Sequence, residues 1–186
     1  MGAPSTSIVV NELAQVGIKQ IVRIGTCGSI QPSVKVGSVV ISQGALCRQG
    51  AANDVAPIEY PAVADPFMTV ALAQQARSLG YDYHVGITAS VDTFYEGQER
   101  TESSINPYLQ PHLVGITEHY RQLNILNYEM ESGTLFKLGS VYGLSVGCIC
   151  AVVAQRDIAE TILVEQKQQA VARAIEIAVA AVSQKG

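Results

Sequence analysis

The segment Asp92-Thr93-Phe94-Tyr95-Glu96-Gly97-Gln98-Glu99-Arg100 puts an aromatic face, an amide and a guanidinium into one short loop. Phe94 offers a stacking surface, Gln98 both a donor and an acceptor, and Arg100 a planar fork of donors. A flat heterocycle with adjacent carbonyl and N–H groups would satisfy all three. The alternative is an ordinary polar loop anchored by one buried aromatic. The preceding run, Val85-Gly86-Ile87-Thr88-Ala89-Ser90-Val91, reads as a buried strand. The loop therefore sits past a strand's C-terminal end, where open α/β sheets bind ligands.

Three further stretches carry matching chemistry. In Arg23-Ile24-Gly25-Thr26-Cys27-Gly28 an arginine interrupts an apolar strand. A buried guanidinium is costly unless an anion pairs with it. Thr26 and the Gly-flanked amides add donors, as anion-binding nests do. Arg23 thus marks a phosphate site, or else a structural pair with an internal carboxylate, or a side chain that snorkels to solvent. No Gly-Lys-Ser/Thr follows, so this is not a Walker loop. Cys27 reads as a small wall residue of the site, with no histidine nearby in sequence to make it a nucleophile.

Asn127-Tyr128-Glu129-Met130-Glu131-Ser132 brackets a methionine with two carboxylates where a strand hands over to a helix. One carboxylate can accept hydrogen bonds from vicinal hydroxyls while the methionine packs under a sugar. Alternatively, the pair simply complements a helix dipole. A shared metal would lack a third ligand. Gln155-Arg156-Asp157 follows another strand. Arg156 suits a base carbonyl, Asp157 suits proton donation to a purine ring nitrogen, and the two together also suit a solvated loop pair. An anion binder, a diol binder, a base binder and a polar gate at four strand ends form the inventory for a nucleoside plus phosphate.

The elements that must position these residues alternate along the chain. A helix starts at Ser5 or Ser7 and stops at Gly17. Strands cover residues 19–25 and 38–41, and residues 43–65 read as a long irregular excursion. Asp65-Pro66 opens a helix ending near Leu79. After the strand before Phe94, the polar, proline-bearing residues 101–116 read as a flap. A short helix over 118–123, a strand over 126–128, a helix over 129–138, a buried strand over 144–153 and an amphipathic helix over 163–182 complete the pattern. Such alternation predicts an α/β sandwich around a mainly parallel sheet, in one domain.

Composition narrows the functional classes. Apolar residues make up 48% and charged residues 15%, which disfavours disorder. A net charge of −4 with no basic cluster argues against nucleic acid and anionic membranes. No apolar run suits a transmembrane helix, and residues 1–7 lack the n- and h-regions of a signal peptide, so a cytoplasmic location is expected. The cysteines, Cys27, Cys47, Cys148 and Cys150, fit no zinc spacing. Cys148 and Cys150 would share one sheet face as reduced core thiols.

Taken together, these motifs resemble the nucleoside phosphorylase family, over essentially the whole chain. Further carriers are Gly2-Ala3-Pro4-Ser5-Thr6-Ser7-Ile8 followed by Glu12-Leu13. The Gln98-Glu99-Arg100 motif places the resemblance on the family's uridine-cleaving branch. The resemblance implies a three-layer α/β/α sandwich around a mainly parallel or mixed twisted sheet. It implies phosphate held by Arg23 and Thr26, and ribose held by Thr26, Glu129, Met130 and Glu131. The base would lie against Cys27, Gly28 and Phe94, bound by Gln98 and Arg100, with Arg156 in the loop that closes over it. Arg23, Thr26, Gln98, Arg100 and Glu131 would be the catalytic set. Inorganic phosphate would be the co-substrate, with no other cofactor. A dimer-based hexamer is implied, with a monovalent cation such as K+ near Ser5 at a dimer interface.

The family signature normally lies well inside the subunit, whereas here it begins at residue 1. The expected single domain, residues 1–186, would therefore lack the family's first strands. It would also lack a Gly-rich phosphate loop and a histidine and an arginine normally given across the dimer interface. Exposed sheet edges and poor solubility would follow. Gln155 and Asp157 depart from the branch's usual residues in that loop. A purine nucleoside phosphorylase relying on Asp157, a nucleosidase that needs no phosphate, and a non-catalytic relative remain the alternatives.

Overall fold

The computed structural model describes residues 1–156 and 164–183. Its elements run α1 (Ala3–Gln15), β1 (Gln20–Ser29), β2 (Val39–Arg48), α2 (Gly50–Asn53), α3 (Pro66–Ser78), β3 (Tyr83–Val91), α4 (Ile116–Gln122), β4 (Asn127–Glu129), α5 (Ser132–Tyr142), β5 (Ser145–Gln155) and α6 (Val164–Ser183). The local signals have identifiable causes. Asp65 accepts from the Met68 amide at 2.8 Å, and Pro66 takes the first helical position, so α3 begins where sequence chemistry places it.

Residues 43–65 are more regular than expected. After a shift between Ser42 and Gly44, β2 continues to Arg48 alongside β3. The extra residue breaks the two-residue period, which hides the second half of the strand in the sequence. Gly44 then bridges to Val63, and α2 occupies part of the intervening excursion.

The strand order is β1-β4-β3-β2-β5, with β5 returning to β1. β1 pairs parallel with β5, β2 with β3, and β3 with β4. The β1–β4 and β2–β5 pairs are antiparallel. The sheet is mixed, as the resemblance implies, but it closes on itself, which corrects the expectation of a plain α/β/α sandwich. Flanking helical layers are nonetheless present. Val40, Cys148, Cys150 and Val152 pack with Leu135, Phe136 and Leu138 of α5. The alternating residues Val39, Ile41, Ile149 and Ala151 pack with Met68 and Leu72 of α3 and with Ala174 and Ile177 of α6. Closure runs through a three-residue strand, β4, and a three-residue antiparallel seam between β2 and β5. Neither is long enough to announce its partner through periodicity.

Lys137 of α5 is buried and donates to the carbonyls of Pro57 (2.6 Å) and Ala56 (3.4 Å), tying the excursion after α2 to the core. Among the described residues, no helix is long and apolar enough to cross a membrane.

Candidate active site

Arg23 sits mid-strand on β1, opposite Cys148 of β5. Its Nη2 donates to Glu131 Oε2, and its Nη1 lies 3.4 Å from Glu129 Oε2. Nη1 also contacts the Cys150 Sγ at 3.0 Å. Both carboxylates are anchored independently. Glu129 accepts from the Glu131 amide (2.9 Å), the Ser132 amide (2.8 Å) and the Ser132 hydroxyl (2.6 Å). Glu131 accepts from the Gly2 amide at 2.8 Å, which docks α1 against the site. The pair with internal carboxylates, one of the readings open for Arg23, is present.

The electrostatics follow from that packing. Burial opposes ionisation of Glu131, but Arg23 and the Gly2 amide outweigh it and hold the carboxyl below its ordinary range. The Cys148 thiol is pushed up by its hydrogen bond to Cys150 and by burial. For Cys150, the contact with Cys148 works downward, but the hydrogen bond to Cys27 and burial prevail. The expected core thiols are thus neutral, and the guanidinium's charge is met by glutamate. Arg23 faces two carboxylates, with the N-terminal ammonium also 3.5 Å from Glu131 Oε1, and the Arg23 side chain keeps 18% of its surface open to solvent. The group is shielded but reachable.

Gly25 explains how Arg23 fits. A β-carbon built there would lie 2.7 Å from Arg23 Cζ and 2.8 Å from Nη2, so the guanidinium lies flat over a position that must lack a side chain. We expect Gly25→Ala to force Arg23 off Glu131 and to lower turnover at least about tenfold, as measured by steady-state kinetics. An unchanged kcat/KM would show that Arg23 need not hold this pose.

At the end of β3 the second group assembles. Arg100 packs its guanidinium 4.2 Å above the Phe94 ring and donates to Gln98 Oε1 at 3.2 Å. Gln98 and Arg100 are buried, whereas Phe94 is 46% exposed and presents its ring outward. Arg156, at the end of β5, donates to the Gln98 carbonyl (2.5 Å) and the Glu99 carbonyl (3.4 Å) and lies over the Tyr128 ring. Burial, opposed by the Thr117 hydrogen bond, pushes the Tyr128 phenol up to about 12, so it stays neutral. Gly28 abuts both arginines: a β-carbon there would lie 3.4 Å from Arg100 Nη2 and 3.5 Å from Arg156 Cδ. Gln98, Arg100, Gly28, Arg156 and Tyr128 therefore meet at one corner, where β1, β4 and β5 converge.

Other predicted positions fall differently. Cys27 is buried within the apolar cluster beneath β1. Thr26 is exposed, and the pleat turns it to the face opposite Arg23. Met130 is half-buried between the two glutamates. Ser5 is exposed on α1, where its hydroxyl is a hard oxygen donor of the kind K+ accepts. Asp157 lies outside the described residues. Sequence reasoning missed Gln49, which is buried at the end of β2. It donates to the Met130 carbonyl (2.6 Å) and accepts from Thr134 through both its amide and its hydroxyl (2.8 Å each), fixing the turn between the glutamates and α5. A lone glutamine in a stretch read as irregular gave no signal for this. Glu99 was likewise not singled out.

This arrangement gathers the polar groups of several strands on one α/β frame, and residues 1–183 match the Phosphorylase superfamily, to which the chain belongs. Relatives include the uridine phosphorylase of Thermococcus kodakarensis, 43% identical over 84% of this chain and 56% of that protein. The uridine phosphorylase of Escherichia coli is 42% identical over 97% of this chain and 71% of that protein. A guanosine phosphorylase of Halorubrum lacusprofundi is 33% identical over 82% of this chain and 57% of that protein. The chain thus spans little more than half the length of some relatives it matches.

Proposed function

We propose that this protein catalyses phosphorolysis of uridine to uracil and ribose 1-phosphate. The observation that carries the reading is the corner where Phe94, Gln98 and Arg100 gather against Gly28 at the end of β1, the strand that also carries Arg23. Phosphate adds an oxygen to the anomeric carbon as the glycosidic bond breaks. The bonding pair leaves with uracil, and the oxocarbenium-like ribosyl group is captured by phosphate, so no covalent enzyme intermediate is required. Gln98 and Arg100 stabilise charge on the departing base through groups already placed, which costs little reorganisation during the reaction. Phe94 stacks on the pyrimidine.

With substrates bound, Glu131 accepts from the ribose hydroxyls and Met130 packs on the sugar, with Glu129 behind it. Arg23 turns donors to phosphate, and Gly28 walls the base pocket under Arg156, whereas Thr26, on the opposite face of β1, and Cys27, in the core beneath it, are turned away from these groups. Inorganic phosphate is the co-substrate. The reading extends to a homo-oligomer of hexameric, dimer-based form with K+ near Ser5, and to a cytoplasmic enzyme of nucleoside salvage.

The guanosine phosphorylase among the relatives favours a second reading, purine phosphorolysis. That reading needs Asp157 rather than Arg100 at the base. The test is uracil release from uridine by the purified chain, with and without phosphate, and with guanosine in parallel. Phosphate-dependent uracil release is expected. Release without phosphate would indicate a nucleosidase, base release from guanosine alone would move the assignment to purines, and no release would indicate a non-catalytic relative.

A further inference from the structure

Glu99 stands between Gln98 and Arg100, yet its side chain turns away from both. Its backbone is left-handed, with φ at 54°, a conformation a glutamate adopts only when its surroundings hold it there. Its amide donates to the Glu96 carbonyl at 3.0 Å. The carboxylate then reaches across the whole of residues 101–116. One oxygen accepts from the Gly115 amide at 2.6 Å and the other from the Thr117 amide at 2.9 Å. Gly115 is itself left-handed at φ 74° and introduces α4. The two ends of the excursion are therefore joined by one side chain, while its interior forms only two short 3-10 turns and carries the fully exposed Ile105.

The clamp feeds into the base corner by two routes. Thr117, whose amide is held, has its hydroxyl 3.1 Å from the Tyr128 hydroxyl, and Tyr128 supports Arg156. The Glu99 carbonyl accepts from Arg156 directly. Turning the Glu99 backbone left-handed also sends its neighbours to the other side, where Gln98 and Arg100 are buried against each other. A charged acceptor on two backbone amides is a strong, geometrically exacting link.

We propose that Glu99 is the positioning residue of the base pocket. It closes residues 101–116 onto the start of α4, and that closure fixes the geometry in which Gln98 and Arg100 meet the base. The inference deepens the uridine reading and rests on it. It assigns Glu99 no contact with substrate.

The test uses the full chain and two variants, Glu99→Ala and Glu99→Gln, with two readouts. The first is amide hydrogen exchange at Gly115 and Thr117, which does not depend on any activity. The second is the separation of KM for uridine, KM for phosphate and kcat. Losing both charge-assisted bonds should speed exchange at these amides by about tenfold or more and raise the uridine KM by a similar factor. The phosphate KM should stay within about twofold, because the Arg23 cluster lies on other elements. Glu99→Gln keeps an acceptor and should recover part of both effects. Faster exchange with an unchanged uridine KM would overturn the positioning role. Unchanged exchange would overturn the clamp itself. If the parent chain turns over no uridine while Glu99→Ala still loosens Gly115 and Thr117, the substrate reading fails and the clamp stands. If Glu99→Ala does not fold, the Glu99→Gln exchange and KM values decide alone.

Discussion

Arg23→Ala should cost about 3–5 kcal/mol at neutral pH, because it removes the guanidinium paired with two buried carboxylates. Glu129 and Glu131 are both buried, and Arg23 is the side chain that neutralises them. The pH dependence gives the prediction a sign. In the native protein Arg23 holds the Glu131 carboxyl below its ordinary value of 4.5, so the pair's stabilisation is complete above that value. It is lost as pH falls through the depressed value. Without Arg23 the balance reverses. Burial is then opposed only by the Gly2 amide and the N-terminal ammonium, so the carboxyl rises and protonation relieves the variant. Urea unfolding at pH 7 and near pH 4 should therefore show a large midpoint deficit at the first and a smaller one at the second. Equal deficits at both would mean that lost packing, not stranded charge, dominates.

Arg100→Ala should remove most uridine turnover, about 10²–10³-fold in kcat/KM, the range seen when one preorganised donor to a developing anion is deleted. The loss should appear mainly in kcat if Arg100 acts on the departing base, and mainly in KM if it only binds it. Arg100 is buried against Phe94 and Gln98, so the variant also loosens those two side chains. Arg100→Lys separates the effects: it keeps a cation but cannot reproduce a planar fork. Near-parental kcat/KM in Arg100→Ala would sink the base assignment and turn attention to Asp157.

Much of the element pattern was legible because it is written in local chemistry. Asp65-Pro66 starts α3 through a cap and a fixed φ, and the apolar run before Phe94 ends where the loop begins. The loop residues after β3 could be read the same way, but Arg23, expected at a strand end before a turn, lies within β1, which continues to Ser29. What escaped was non-local. Closure of the sheet depends on β4 and on the β2–β5 seam, both too short to carry a period. The second half of β2 vanished behind one extra residue. Gln49, Lys137 and Glu99 are each explained by backbone partners 16 to 85 residues away, and no spacing within their own segments points there. The structure also shows Arg23 bonded to glutamates, a choice the sequence left open because charge pairing depends on which residues the fold brings face to face.

The β1–β5 register has a consequence for how the molecule comes into being. Arg23 meets Glu131 across 108 residues, and Gly2 meets the same carboxylate across 129. Helices nucleate within their own segments, but a parallel pair must first close a long loop and recover its entropy only afterwards. The guanidinium–glutamate cluster therefore belongs to the slowest stage of folding. During refolding, helical signal should return before enzymatic competence.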